Sequence, residues 1–227
     1  MMRQDPNYEG EGTPAIWLYP EQQLDVEISL EFKGGGFMTS SLPAYNDKWR
    51  IHVDPTLPFT RYSSTYIDDP WRAYLDYDGF RDGEFQREHG WCIPQKELIQ
   101  WQRSTLREYG FTDGEIDDAN TTYARMLLER RHPEPYFAIY PQDKEQVDKS
   151  VALTVVPAPQ STQRLWLYFV PSETMLDLKA PRVVRTPRNG FTVVELAYLT
   201  DREIPGRPNV PEAIARKRGM LRSVCGR

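Results

Sequence analysis

The stretch that most constrains the fold is Leu24-Asp-Val-Glu-Ile-Ser-Leu-Glu-Phe-Lys33, in which Leu24, Val26, Ile28, Leu30 and Phe32 alternate with Asp25, Glu27, Ser29, Glu31 and Lys33. Successive side chains of a β-strand point to opposite faces, so this period of two describes a strand with one buried and one wet face. Such a strand favours an antiparallel sheet, because parallel sheets are covered on both sides. Gly34-Gly35-Gly36 ends it and is expected to turn the chain back. Further strands are expected at 15–19, 49–53, 74–77, 136–140, 150–156, 164–170 and 191–199. Proline marks their limits at Pro20, Pro157, Pro159 and Pro171, since it cannot donate to a ladder.

The periodicity changes at Pro94, which suits a first helical turn where its missing N–H costs nothing. Leu98, Trp101, Leu106 and Tyr109 then lie near one helical face, and Gly110 is a stop signal. Thr112 with Glu115 three residues on reads as a capping box for a second helix, carrying Ile116, Ala119, Tyr123, Met126 and Leu127 on one face as far as about Arg131. The expected fold is therefore α+β and β-rich: a mostly antiparallel sheet or sandwich with an inserted helical hairpin at about 94–131. Residues 1–13 read as a flexible leader, 14–200 as a single domain and 201–227 as a basic tail. With 227 residues the chain can bury a core without disulfides. Cys92 and Cys225 make no disulfide framework, and residues 1–13 have no signal-peptide character, so a cytoplasmic location is favoured.

Net charge is −5, which gives the whole chain no electrostatic reason to seek nucleic acid, and no apolar run is long enough for a membrane span. From Asp201 onward seven basic residues face three acidic ones, so the tail is about +4 on a body of about −9. This asymmetry suggests attachment, either to the chain's own acidic surface or to a partner.

Two local patterns carry further weight. Ile16-Trp-Leu-Tyr-Pro20 is echoed by Phe137-Ala-Ile-Tyr-Pro141, which is either an internal duplication or a common way of ending a strand. The segment Pro14-Ala-Ile-Trp-Leu-Tyr-Pro-Glu21, with Tyr45-Asn46-Asp47, Trp49 and Asn189-Gly-Phe-Thr-Val-Val-Glu195, resembles a family of uncharacterised, mostly bacterial proteins. The domain of that family opens with Lys-Pro-Ala/Val-Ile-Tyr-Leu-Tyr-Pro-Glu. Here Thr13 stands in place of the lysine and Trp17 in place of the first tyrosine. The resemblance implies a shared fold and no reaction.

Catalytic motifs are sparse. There is no Gly-x-Ser-x-Gly elbow and no phosphate loop. His52, His89 and His132 lack metal-binding spacing, and His89-Gly-Trp-Cys92 offers only two soft ligands where zinc needs four. The richest polar cluster is Asp68-Asp69, then Asp76 and Asp78, then Asp82 and Glu84. No cofactor is expected. Calcium is the one cation that Asp76, Asp78, Asp82 and Glu84 would suit, although Asp-Gly pairs are turn formers first. The same region carries Tyr62, Tyr66, Trp71 and Tyr77, which if exposed would form a recognition surface.

The expected function is a non-catalytic binding or assembly module with a protein partner or a second copy of itself. The alternatives are a carboxylate-based hydrolase or metal-dependent enzyme, using Asp68, Asp69, Asp76, Asp78 and Glu84, and a glycan-binding module using the aromatics of 62–85.

Overall fold

The computed structural model describes residues 11–12, 14–56, 74–81, 85–120, 124, 127–128 and 133–200. The strands in chain order are β1 (Glu11–Gly12), β2 (Ala15–Tyr19), β3 (Leu24–Phe32), β4 (Phe37–Leu42), β5 (Trp49–Val53), β6 (Leu75–Phe80), β7 (Trp91–Pro94), β8 (Tyr136–Gln142), β9 (Val151–Val156), β10 (Ser161–Ser172) and β11 (Thr192–Thr200). The helices are α1 (Leu98–Tyr109) and α2 (Asp113–Ala119), between β7 and β8, and α3 (Lys144–Ser150), between β8 and β9.

Eight strands form the main sheet, in the order β4-β6-β2-β11-β10-β8-β7, with β1 continuing the line of β2 against β11 and β6. All its pairs are antiparallel except β10 with β11, which run parallel at the centre. Apart from Glu195, the stretches Leu165–Val170 of β10 and Val193–Leu199 of β11 are apolar, as suits strands buried on both faces. A second sheet, β5-β3-β9, is antiparallel throughout.

The small sheet covers one face of the main sheet. Val26 and Ile28 of β3 and Trp49, Ile51 and Val53 of β5 pack with Ile16, Tyr77, Trp166, Tyr168, Val193 and Ala197. Leu24, Leu30 and Phe32 are partly buried against the same core, so the apolar face of β3 points inward as its alternation requires. The opposite face of the main sheet carries Trp17, Phe137, Leu165, Leu167, Phe169, Val194 and Leu196, covered by Leu98, Leu106, Ile116 and Ala119 of the helical segment.

The helical signals hold at Gly110 and at Thr112, whereas Pro94 closes β7 in extended conformation and stands ahead of the first helical turn. A short 3-10 turn after Pro94 leads into α1, which ends at Gly110 with φ of 91°, a left-handed conformation that favours glycine. Thr112 and Glu115 form the reciprocal capping box of α2. Helical bonding continues at Asn120, Ala124 and Leu127–Leu128, and the remaining residues of the expected second helix lie outside those described.

Three elements differ from expectation. The glycines after β3 do turn the chain, with φ of 62° at Gly34 and 105° at Gly35, but the next strand, β4, leaves β3 and pairs with β6 in the other sheet. Helix α3 lies between β8 and β9, where the sequence suggests no helix, and is opened by a second capping box between Asp143 and Gln146. Strands β2 and β8 are not repeats of one another: Ile16 faces the small sheet, whereas Phe137, its counterpart in the echo, faces the helices.

Strands β10 and β11 are joined by a strap, residues 173–191, with no regular structure beyond one bridge between His89 and Lys179. It is pinned along its length. The Gly90 N–H donates to the Lys179 carbonyl at 2.9 Å, Val183 packs on the helix-side core, and Arg188 grips Glu115 through two bonds of 2.8 and 2.7 Å.

Candidate functional site

Two polar constellations hold the sheet together. In the first, Arg164 of β10 and Glu195 of β11 are register partners on the face toward the small sheet, and both are buried. The Arg164 Nε donates to Glu195 Oε2 at 2.5 Å, and its Nη1 donates to Asp148 Oδ1 at 2.5 Å and to the Val151 carbonyl at 2.7 Å. Glu195 Oε1 accepts from the Tyr77 hydroxyl at 2.8 Å and from the Trp166 indole at 2.9 Å. Burial acts to lower the Arg164 pKa, but the Glu195 carboxylate beside it prevails and holds it above the ordinary arginine value. Arg81, also fully buried, lies over the rings of Trp166 and Tyr77 at 4.8 and 5.7 Å from their centroids, and donates to the Gly79 carbonyl at 2.9 Å. Burial lowers its pKa.

In the second constellation, Glu115 of α2 accepts from the Tyr19 hydroxyl at 2.6 Å as well as from Arg188, so one buried carboxylate ties strand β2 and the strap to the helices.

Beside the first constellation opens a cleft of about 730 Å³, within the range of ligand-binding sites. Its floor is β10 from Thr162 to Leu165. One wall is the first turn of α3, the other is the strap around Arg182 and Val184, and Gln86 and His89 close one end. The cleft exists because β8 stops short of β10. Their ladder runs from Ser172↔Tyr136 only to Trp166↔Gln142, after which the chain turns away into α3. The first five residues of β10 are paired with β11 on one side alone.

The residues singled out from the sequence fall elsewhere. Asp76 and Asp78 sit on β6, outside the cleft lining, and Asp78 accepts from the Ser40 hydroxyl across the β4–β6 pair at 2.8 Å. Tyr77 is corrected from a surface residue to a core one: it has no exposed area and its hydroxyl is bound to Glu195. Tyr62, Tyr66, Asp68, Asp69, Trp71, Asp82 and Glu84 lie outside the described residues. Among the described residues no group of three His, Cys, Asp or Glu side chains is placed to hold a metal ion, and no helix is long and apolar enough to cross a membrane. Cys92 accepts from the Leu176 N–H at 3.2 Å, a contact with the strap.

Sequence reading missed Arg164, Glu195 and Asp148. A signal for the first two was present: each is a charged residue in or at the end of an apolar strand run, and a charge there must be paired to be tolerated. No family model matches this chain, and no curated protein or solved structure is similar to it.

Proposed function

We propose that the chain is a non-catalytic binding or assembly module that engages a protein partner at the cleft beside β10. The observation that carries this reading is the state of the cleft's ionisable floor. Arg164 is already bound to Glu195, Asp148 and a main-chain carbonyl, so it serves as a fixed structural group rather than one free to enter a reaction. The open walls, with Arg182, Val184 and Lys144, offer contact surface. The carboxylate-enzyme alternative draws no support from Asp76 and Asp78, which lie outside this cleft. Membership of the family that Pro14–Glu21 resembles, and closure of α1 and α2 into an antiparallel hairpin, belong to the same proposal.

The test is capture from the native source, identified by mass spectrometry, with the parent protein and a variant whose cleft is filled by Val184→Trp. A discrete partner retained by the parent and lost by the variant is the expected result. Equal capture by both would remove the cleft from the reading, and no specific capture would remove the reading itself.

A further inference from the structure

We infer that the cleft accepts an extended acidic peptide segment, which adds to the main sheet as a strand along the open edge of β10; this rests on the binding-module reading above. The argument begins with the direction of the main-chain groups. The Ser161 N–H donates to the Phe191 carbonyl, immediately before β11. Main-chain groups along a strand alternate in direction, so the odd-numbered residues of β10 turn to β11 and the even-numbered ones turn to β8. Pro141 agrees with this assignment, because it has no N–H to offer and stands opposite Leu167, an odd position. Thr162 and Arg164 therefore direct an N–H and a carbonyl each toward the line of β8. No strand of the described residues continues that line past Gln142. The space it would occupy is the cleft, which both residues line. An unpaired edge of this kind is a template for another chain, and main-chain bonds supply affinity that does not depend on sequence.

The walls select the charge. The strap carries a cation at every third residue, Lys179, Arg182, Arg185 and Arg188, and of these Arg182 lines the cleft. Arg188 is spent on Glu115. Among the described residues no carboxylate stands in ion-pair range of Lys179, Arg182 or Arg185, all three of which are exposed. On the opposite wall Asp148 bonds Arg164 and Lys144, Glu145 pairs with Lys149 and Asp143 caps α3, so these carboxylates already have partners within the chain, while Glu88 lines the end beside His89. An added strand presents alternate side chains to the two walls. Acidic residues at every second position would all lie on the strap side, where Arg182 lines the cleft, and small neutral residues between them would meet α3.

The experiment uses the full chain and short synthetic peptides. One alternates glutamate with valine, one has the same composition with its glutamates consecutive, and one alternates lysine with valine. Binding is read by fluorescence anisotropy, and amide hydrogen exchange is followed at Thr162 and Arg164. The expected result is that the alternating acidic peptide binds, slows exchange of those two amides, and is weakened about tenfold by R182E or by raised salt. Both R182E and R185E lie on exposed positions and should leave the melting temperature unchanged. Equal binding of the consecutive or the lysine peptide would overturn the proposal, as would binding that leaves both amides unprotected or displacement of the peptide by inorganic phosphate at constant ionic strength. Protection in the free protein that disappears on deletion of 201–227 would instead assign the edge to the chain's own tail, and protection that grows with protein concentration would assign it to a second copy. Failure of the peptides with continued loss of native partner capture in Val184→Trp would sink strand addition alone, leaving the module reading in place.

Discussion

Arg164 and Glu195 stand opposite one another in the only parallel ladder among the described residues, joined by a bond of 2.5 Å with no side-chain surface exposed on either. A pair so placed is coupled to everything around it. Removing one charge strands the other away from water, which costs about 3–5 kcal/mol for a buried pair. Glu195→Leu also leaves the Tyr77 hydroxyl and the Trp166 indole without their acceptor. We expect Glu195→Leu to lose several kcal/mol in urea unfolding, and the double variant Arg164→Met with Glu195→Leu to recover part of it. A double variant no better than the single one would show that the pair is not coupled.

Ile28 lies at the centre of β3 with no exposed surface, between Trp49 and Val155 in register. Ile28→Asp places an unpaired carboxylate between the two sheets, and burying such a charge costs on the order of several kcal/mol. The variant should be unfolded at room temperature by circular dichroism. Glu27→Gln, one residue away on the wet face, should fold normally, although it removes the bonds to Lys48 and Arg50.

Gly79 of β6 lies against the Phe32 ring of the small sheet. A Cβ there would lie 2.6 Å from Phe32 Cε1 and 2.7 Å from the Phe37 carbonyl oxygen. One of these neighbours is main chain and cannot swing aside, so Gly79→Ala should cost about 1–3 kcal/mol, the range for overpacking a well-filled core. The measurement is the shift of the urea midpoint, and trimming the ring with Phe32→Leu should rescue only the portion due to Phe32.

Alkali should unfold the protein through its tyrosines. Burial raises the pKa of Tyr19, Tyr77 and Tyr198, and that of Tyr109 to about 12. Tyrosine in an unfolded chain ionises near 10. The folded state thus retains protons that the unfolded state gives up, and the stabilisation is complete below about pH 10 and lost as pH climbs toward the folded values. Tyrosinate absorbance followed with circular dichroism should show these phenols ionising together with loss of structure. Ionisation of all four at ordinary pH in a folded protein would contradict their burial.

How much of this could be read from the chain depends on where each signal resides. Strand β3 was legible because one of its faces is wet, which turns burial into alternation. The start of α2 was legible because its cap is a local bond between Thr112 and Glu115. The same cap opens α3, but that helix buries one apolar side chain, Val147, so no periodicity accompanied it. Strand β4 was hidden by its polar, half-exposed sequence Phe-Met-Thr-Ser-Ser-Leu. Its partner was hidden for another reason, since the choice of β6 over β3 is made by distant packing and not by the glycine turn between β3 and β4. The cleft is a vacancy left where β8 ends and α3 begins, so no motif could have announced it. Arg182 and Arg164 looked like ordinary charges until the sheet put them on either side of that vacancy.

The position of β11 has a consequence for the order of events during synthesis. It is the last strand of the described chain and also the central one, lying between β10 and the first long strand, β2, with Ile16 opposite Glu195. Until it emerges, β4, β6 and β2 form one fragment of the main sheet and β10, β8 and β7 another, and the β3–β9 pair of the small sheet is the strand pairing that links them. Closing a loop across nearly the whole chain is slow, because its entropy is spent before any contact offsets it. A polypeptide halted before residue 192 therefore holds two half-sheets with raw inner edges, the state most open to mispairing with neighbours. For this protein, stopping before β11 opens a gap through the middle of the main sheet instead of trimming its edge.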